Sequence, residues 1–298
     1  MKKIVCLLLI TMQVFCFVPS CFAKNGDVIG YACYTDIVAT INGAKIASYN
    51  VDGNTYVIAE DLKDYGFNVI WDANDRLIEV KRNYSVRDIY TNYQNPYISK
   101  NQIGKKAYNL LETDINASIG GYHLFSYRGK DFVRSYNIDG KTIIPFDMLD
   151  IFGKVEWNPL KRELSLSIPG VNQVDCANKN SQVIKSEYLS RVNDIETTIE
   201  YMANNAISQR EMNSGAHLYY CMADVLLNEV YQYLKLALPS DQFELLKNDE
   251  IRWIGEKEAL MKEMENMYEG GSIKQLMVSD SGAKYTIERC YYLISLIQ

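Results

Sequence analysis

EMNSGAHLYYCMADVLLNEVYQYL (Glu211–Leu234) and, after a short break, DEIRWIGEKEALMKEM (Asp249–Met264) decide the C-terminal fold. In the first segment apolar residues fall at Met212, Ala216, Tyr220, Ala223, Leu227, Val230 and Leu234. Steps of three or four place them on one side of a helix that needs a partner. Beyond Pro239-Ser240-Asp241, the same rhythm runs through Phe243, Leu246, Glu250, Trp253, Lys257, Leu260 and Met264, predicting a second helix. Gly270-Gly271-Ser272 reads as a helix stop with a new N-cap at Ser272. Upstream, Ile195, Ile199, Met202 and Ala206 extend the rhythm back to Glu187. Residues 187–298 are thus expected to form an all-α antiparallel helical domain.

The chain opens differently. Met1-Lys2-Lys3 precedes an apolar run from Ile4 to Val18, and Cys21-Phe22-Ala23 has the small-x-small form of a cleavage site. This is the layout of a secretory signal peptide over 1–23, too short for a membrane span. Lipid attachment at Cys21 is the less favoured alternative, because Pro19 sits two residues before it. Removal of 1–23 takes away two lysines and no acid, so the net charge moves from −6 to −8. A chain this acidic suits neither nucleic acid nor anionic lipid, but it suits a cationic partner as well as plain solubility. Four cysteines remain, Cys33, Cys176, Cys221 and Cys290, with no CxxC pair to suggest a metal cluster. In an oxidising compartment Cys221 and Cys290 are the pair that a disulfide would join; free buried thiols are the other reading.

Between these ends lies a β-rich half with an internal repeat. Asp36-Ile37-x-Ala39-x-Ile41-x-Gly43 returns as Asp114-Ile115-x-Ala117-x-Ile119-x-Gly121, and Asp52-Gly53-x-Thr55 returns as Asp139-Gly140-x-Thr142. Leu62-x-x-Tyr65-Gly66 returns as Leu149-x-x-Phe152-Gly153, and Val69-x-Trp71-Asp72 returns as Val155-x-Trp157-Asn158. The offset grows from 78 to 86–87, so a hairpin around Arg128 to Tyr136 has lengthened in the second copy. The expected organisation is repeat 1 at 27–82, a connector at 83–111, repeat 2 at 112–168 and a polar linker at 169–186. The fold class is therefore α+β, with two small β-rich repeats, each carrying one short helix, before the helical domain. Trp71 and Trp157 are repeat-equivalent and read as inward-facing core residues.

No catalytic constellation emerges. His123 and His217 lie in no local nucleophile signature, and phosphate loops and closed zinc spacings are missing. Asp249, Glu250, Glu256, Glu258 and Glu263 crowd one helix, where glycoside cleavage would need two carboxylates. Their alternation with Lys257 and Lys262 describes a solvated helix face instead. No cofactor is implied.

Two resemblances add to this reading. Glu211-Met212-Asn213, Ala223-Asp224, Leu227-Asn228, Tyr231, Arg252-Trp253-Ile254, Lys257-Glu258-Ala259, Gly270-Gly271-Ser272 and Thr286-x-x-Arg289 occur in an order that resembles the lysozyme-inhibitor LprI-like family. Two cysteines common in that family correspond here to Gly215 and Met261. The repeat resembles the copper amine oxidase N-terminal-like stalk domain, with Ile144-Pro145-Phe146 at its Val-Pro-x position. Together they imply an exported, non-enzymatic cell-envelope protein whose partner is a lysozyme or another wall hydrolase. A peptidoglycan-binding or scaffolding protein is the alternative. Asp249, Glu250, Glu256, Glu258 and Glu263 are the candidate contact residues for a basic partner, and Trp253 and Arg289 are read as structural.

Overall fold

A computed structural model of the chain describes residues 24–89, 99–123, 135–174, 176 and 178–298. The export signal read at 1–23, with Cys21, lies outside the described residues, as does most of the lengthened hairpin at 124–134. The architecture is α+β: β-strands from Val28 to Ser167, then four helices. Among the described residues, no helix is long and apolar enough to cross a membrane.

The first half contributes β1 (Val28–Cys33), β2 (Val38–Ile41), β3 (Ala44–Ile46), β4 (Ser48–Val51), β5 (Asn54–Ile58), a 3-10 helix (Glu60–Tyr65), β6 (Phe67–Asp72) and β7 (Leu77–Arg82). The second contributes β8 (Lys106–Leu111), β9 (Asn116–Ile119), β10 (Tyr122–His123), β11 (Tyr136–Ile138), β12 (Lys141–Pro145), a 3-10 helix (Phe146–Ile151), β13 (Lys154–Asn158) and β14 (Glu163–Ser167). Asn42-Gly43, Asp52-Gly53 and Asp139-Gly140 all have positive φ, as two-residue primed turns require, and each closes one hairpin.

The two halves exchange strands. A closed barrel runs β1-β4-β5-β12-β11-β8, while β9 and β10 join β6 and β7 in one sheet, and β2 and β3 join β13 and β14 in another. In the two four-stranded sheets the crossing pairs, β7 with β9 and β14 with β2, are parallel, whereas those of the barrel, β1 with β8 and β5 with β12, are antiparallel. Burial requires this: Ile41, Val80, Ile119 and Leu166 line the crossing strands and are fully buried, which neither half could achieve with its own hairpins. The 83–111 segment, expected as a connector, carries β8, which pairs with β1. The expected linker is packed too. Asn42 is buried and its carboxamide accepts from Ile168 N at 2.8 Å and donates to Val171 O at 3.0 Å.

Trp71 and Trp157 do not fill the core: they are 49% and 46% exposed. Each lies on the outermost strand of its sheet, β6 or β13. Ile78, directly opposite Trp71, is buried, so the core ends under β7 and covers the tryptophan from one side only.

The helices are α1 (Ser181–Asn205), α2 (Gln209–Ala237), α3 (Ser240–Met267) and α4 (Lys274–Ser295). Asn180 and Ser208 cap α1 and α2 by accepting from Val183 N and Glu211 N. At α4 the cap position is Ile273 rather than Ser272. Helix α2 is buried beyond the single stripe expected: Leu218, Met222, Val225 and Glu229 form a second stripe. The β region covers it. Tyr122 Oη meets Ser214 Oγ at 3.0 Å, and Arg191 donates to Asp150 O.

At the centre of this seam, Glu229 is 2% exposed. Arg87 Nη1 donates to its Oε1 at 2.6 Å, and Arg82 Nε lies 3.5 Å from Oε2. Arg82 also donates to the carbonyls of Gly66, Asn83 and Val86. Burial pushes the Glu229 carboxyl up and the two guanidiniums pull it down, with burial the larger effect. Helix and β region are joined by an ion cluster that neither half could neutralise alone.

Candidate partner-binding groove

On the side of the bundle away from Glu229, α2, α3 and α4 border an open groove of about 560 Å³. Tyr220, Asp224 and Asn228 line it from α2, Trp253, Lys257 and Glu258 from α3. The helical rhythm explains the meeting: Tyr220, Asp224 and Asn228 are four apart, as are Trp253 and Lys257, so each set shares a face. Lys257 lies on the apolar phase of α3 and is accordingly buried. Its ammonium sits 5.1 Å from the Trp253 ring, 5.3 Å from the Tyr220 ring and 3.5 Å from Asp224 Oδ1. Asn228 fixes Asp224 by donating to its Oδ2 at 3.1 Å and to its carbonyl at 2.8 Å. Close helix packing forms the floor, since a Cβ on Gly282 would lie 2.8 Å from Met261 Sδ and 3.0 Å from Tyr220.

A second cluster borders the first. Trp253 is buried and stacks on Tyr285 with centroids 5.8 Å apart. Arg289 lies 5.7 Å from the Trp253 ring and 4.5 Å from that of Tyr292. Its Nε donates to Glu250 Oε1 at 2.7 Å and its Nη2 to Asp249 Oδ2 at 2.5 Å. The Arg289 hydrogen bond holds the Asp249 carboxyl below its ordinary 3.8, whereas burial pushes that of Glu250 up.

The five acids singled out in the sequence therefore occupy unlike places. Asp249 and Glu250 bind Arg289 within the fold. Glu256 accepts from Tyr285 Oη at 3.0 Å and lies 3.7 Å from Arg252. Glu258 and Glu263 are exposed, and of these Glu258 lines the groove. Cys221 and Cys290 are both free thiols. They lie on different sides of α2: Cys221 Sγ faces His217 and the Gly121 turn, while Cys290 Sγ is 3.7 Å from Ala223 O. Burial pushes the Cys221 thiol up to about 12, which keeps it protonated and unreactive. His217 stacks on Tyr122 at 5.6 Å, and burial lowers its pKa. No group of three or more His, Cys, Asp or Glu among the described residues is placed to hold a metal ion.

Part of the ordered sequence pattern meets here: Asp224, Leu227, Asn228, Trp253, Ile254, Lys257 and Glu258 line the groove, and Arg289 lies against Trp253. Residues 202–293 match the family model described as lysozyme inhibitor LprI. The match takes in α2, α3 and most of α4 and leaves the β region outside. No curated protein and no solved structure matches the chain. Within the LprI-like segment, Gly215 lies near Met202 of α1, while Met261 lies near Gly282 of α4, so these two positions have different neighbours. Packing between small and sulfur-containing side chains holds these helices. Lys257 and Asp224 were legible as members of the pattern but not as a joint site. The signal for Lys257 was a charge on the apolar phase of its helix.

Proposed function

We propose that the chain is an exported, non-enzymatic cell-envelope protein whose helical domain binds and occludes a lysozyme or a related wall hydrolase. The observation that carries this reading is the match of residues 202–293 to the lysozyme inhibitor family; Asp224, Asn228, Trp253 and Lys257 of the ordered pattern line one groove within it. Charge supports it: the mature chain carries about −8, and Glu258 and Glu263 face solvent where they would favour a basic enzyme. Occlusion requires no chemistry from this chain. It requires a surface held rigidly, which the Glu229 seam and the Arg289 cluster supply.

The test is inhibition of a panel of lysozymes by the purified chain, at low and moderate salt. The chain from Lys24 to Gln298 is used whole, because cutting before α1 would expose Glu229 and the second stripe of α2 to water. Inhibition of at least one enzyme, weakened by salt, is expected. No effect on any enzyme at either salt concentration would sink the reading.

A second reading, binding of wall glycan by the β region, draws on the exposure of Trp71 and Trp157 at equivalent edges. Co-sedimentation with insoluble peptidoglycan, compared between the chain and its Trp71→Ala, Trp157→Ala double variant, separates the two readings.

A further inference from the structure

Three cationic side chains among the described residues are more than nine-tenths buried: Arg82, Arg191 and Lys257. A buried charge is costly unless its donors are engaged. Arg82 engages three main-chain carbonyls, and Arg191 donates to Asp150 O. Lys257 differs. It is 8% exposed and has three N–H donors, yet it makes no hydrogen bond to any described residue. Asp224 Oδ1 at 3.5 Å balances its charge at a distance too long for a strong hydrogen bond. The two rings hold the ammonium in place but accept no proton in the ordinary sense. It also lines the open groove.

The wall around it is mixed. Leu227, Ile254, Met261 and Val278 supply apolar surface, and Asp224 is fixed by Asn228. An incoming cation would meet Lys257, which already occupies the space between the rings. An incoming oxygen with a free lone pair would find unused donors. We infer that the groove receives a protruding loop of the partner hydrolase, with a main-chain carbonyl or carboxylate oxygen accepting from Lys257 and a neighbouring apolar side chain resting on Leu227, Ile254 and Val278. This rests on the inhibitor reading and gives it a contact surface. The outward acids then serve long-range attraction, and the groove supplies the short-range contact.

The test measures binding of the full chain to each lysozyme of the panel by calorimetry. Lys257→Met retains the aliphatic stem on Trp253 and Tyr220 but removes the donors. It should weaken binding roughly ten- to a hundredfold. Ile254→Ala, at a half-exposed position where the fold tolerates truncation, should weaken it several-fold and decides the matter should Lys257→Met fail to fold. Glu263→Gln, an outward acid outside the groove, removes only screened long-range attraction and should weaken binding at moderate salt by less than either groove variant. Binding by wild type that is unchanged in Ile254→Ala and in folded Lys257→Met overturns the groove assignment and leaves the inhibitor reading standing. A loss in Glu263→Gln equal to that in the groove variants overturns it as well, moving the contact to the outer acidic face. Wild type that binds no lysozyme overturns both.

Discussion

Glu229 and Glu250 lie on neighbouring helices, both are buried, and both are held by arginine, yet they perform different work. The arginines of Glu229 come from the β region, and they make its carboxylate the joint between parts of the chain that are far apart in sequence. The arginine of Glu250 comes from the next helix of the same bundle and is shared with Asp249, which retains contact with water. The first cluster fixes where the helical domain sits. The second fixes the shape of the domain's own surface, one helix turn from the groove. Similar chemistry thus separates by burial and by origin of the partner into a structural role and a site-shaping role.

Breaking the seam should have the larger effect. In Glu229→Ala the guanidiniums of Arg82 and Arg87 remain buried beside a missing charge, and uncompensated burial of this kind costs about 3–5 kcal/mol. The denaturant midpoint should fall accordingly. A two-step transition would show that the β region and helices have separated. Replacing Glu229, Arg82 and Arg87 together with apolar residues of similar size should recover part of the loss, since the penalty lies in the unpaired charges. On the groove side, Arg289→Ala removes two ion pairs and two ring contacts from a half-buried site, and about 2 kcal/mol is expected. The same denaturation experiment reads it, with a single transition retained. If Arg289→Ala cost more than Glu229→Ala, the division of roles would be reversed.

The sequence announced these clusters unequally. Helices α2 and α3 were legible because their apolar residues return every three or four positions, and the primed turns were legible because Asn-Gly and Asp-Gly leave few other conformations. Glu250 and Lys257 were also marked, as charges at apolar phase. Glu229 was hidden. It belongs to the stripe Leu218, Met222, Val225, which lies outside the single apolar face that the periodicity picks out and is buried by the β region. The crossing of strands between halves was hidden for a related reason: alternation within a strand records which face is buried, not which strand lies alongside. The tryptophans failed by position. Trp71 shares its face with Phe67, but periodicity cannot tell an edge strand from a central one.

Acidification sharpens the comparison from the groove side. Asp249 is held below its ordinary 3.8 by Arg289. A carboxyl depressed in the folded state contributes stability that is present above the unfolded value and lost as pH falls through the lower folded value. Stability should therefore drop below about pH 4, and Arg289→Met should flatten part of that drop. Asp36 and Asp114 are depressed in the same way by Arg162 and Arg76, and they keep their partners in the variant. Unfolding midpoints followed from pH 5 downward should show a shallower acid limb that does not vanish. An unaltered limb would mean that Arg289 does not hold Asp249 in solution.

The smallest effect belongs to the β region's edge, where Trp71→Ala and Trp157→Ala should each change stability by about 0.5 kcal/mol or less. A buried tryptophan would cost about 3–5 kcal/mol, which is the expectation for Trp253→Ala in the same denaturation experiment. The contrast is useful because both edge residues sit in the sequence context of a core position, so their conformational surroundings alone would suggest a large loss. Arg76 lies 6.0 Å from the Trp71 ring, a contact too exposed to add much. A cost near that of Trp253 would place something over these edges in solution. A negligible cost combined with loss of peptidoglycan co-sedimentation would make the exposed rings a binding surface, because a ring that contributes nothing to folding has no other demonstrated use.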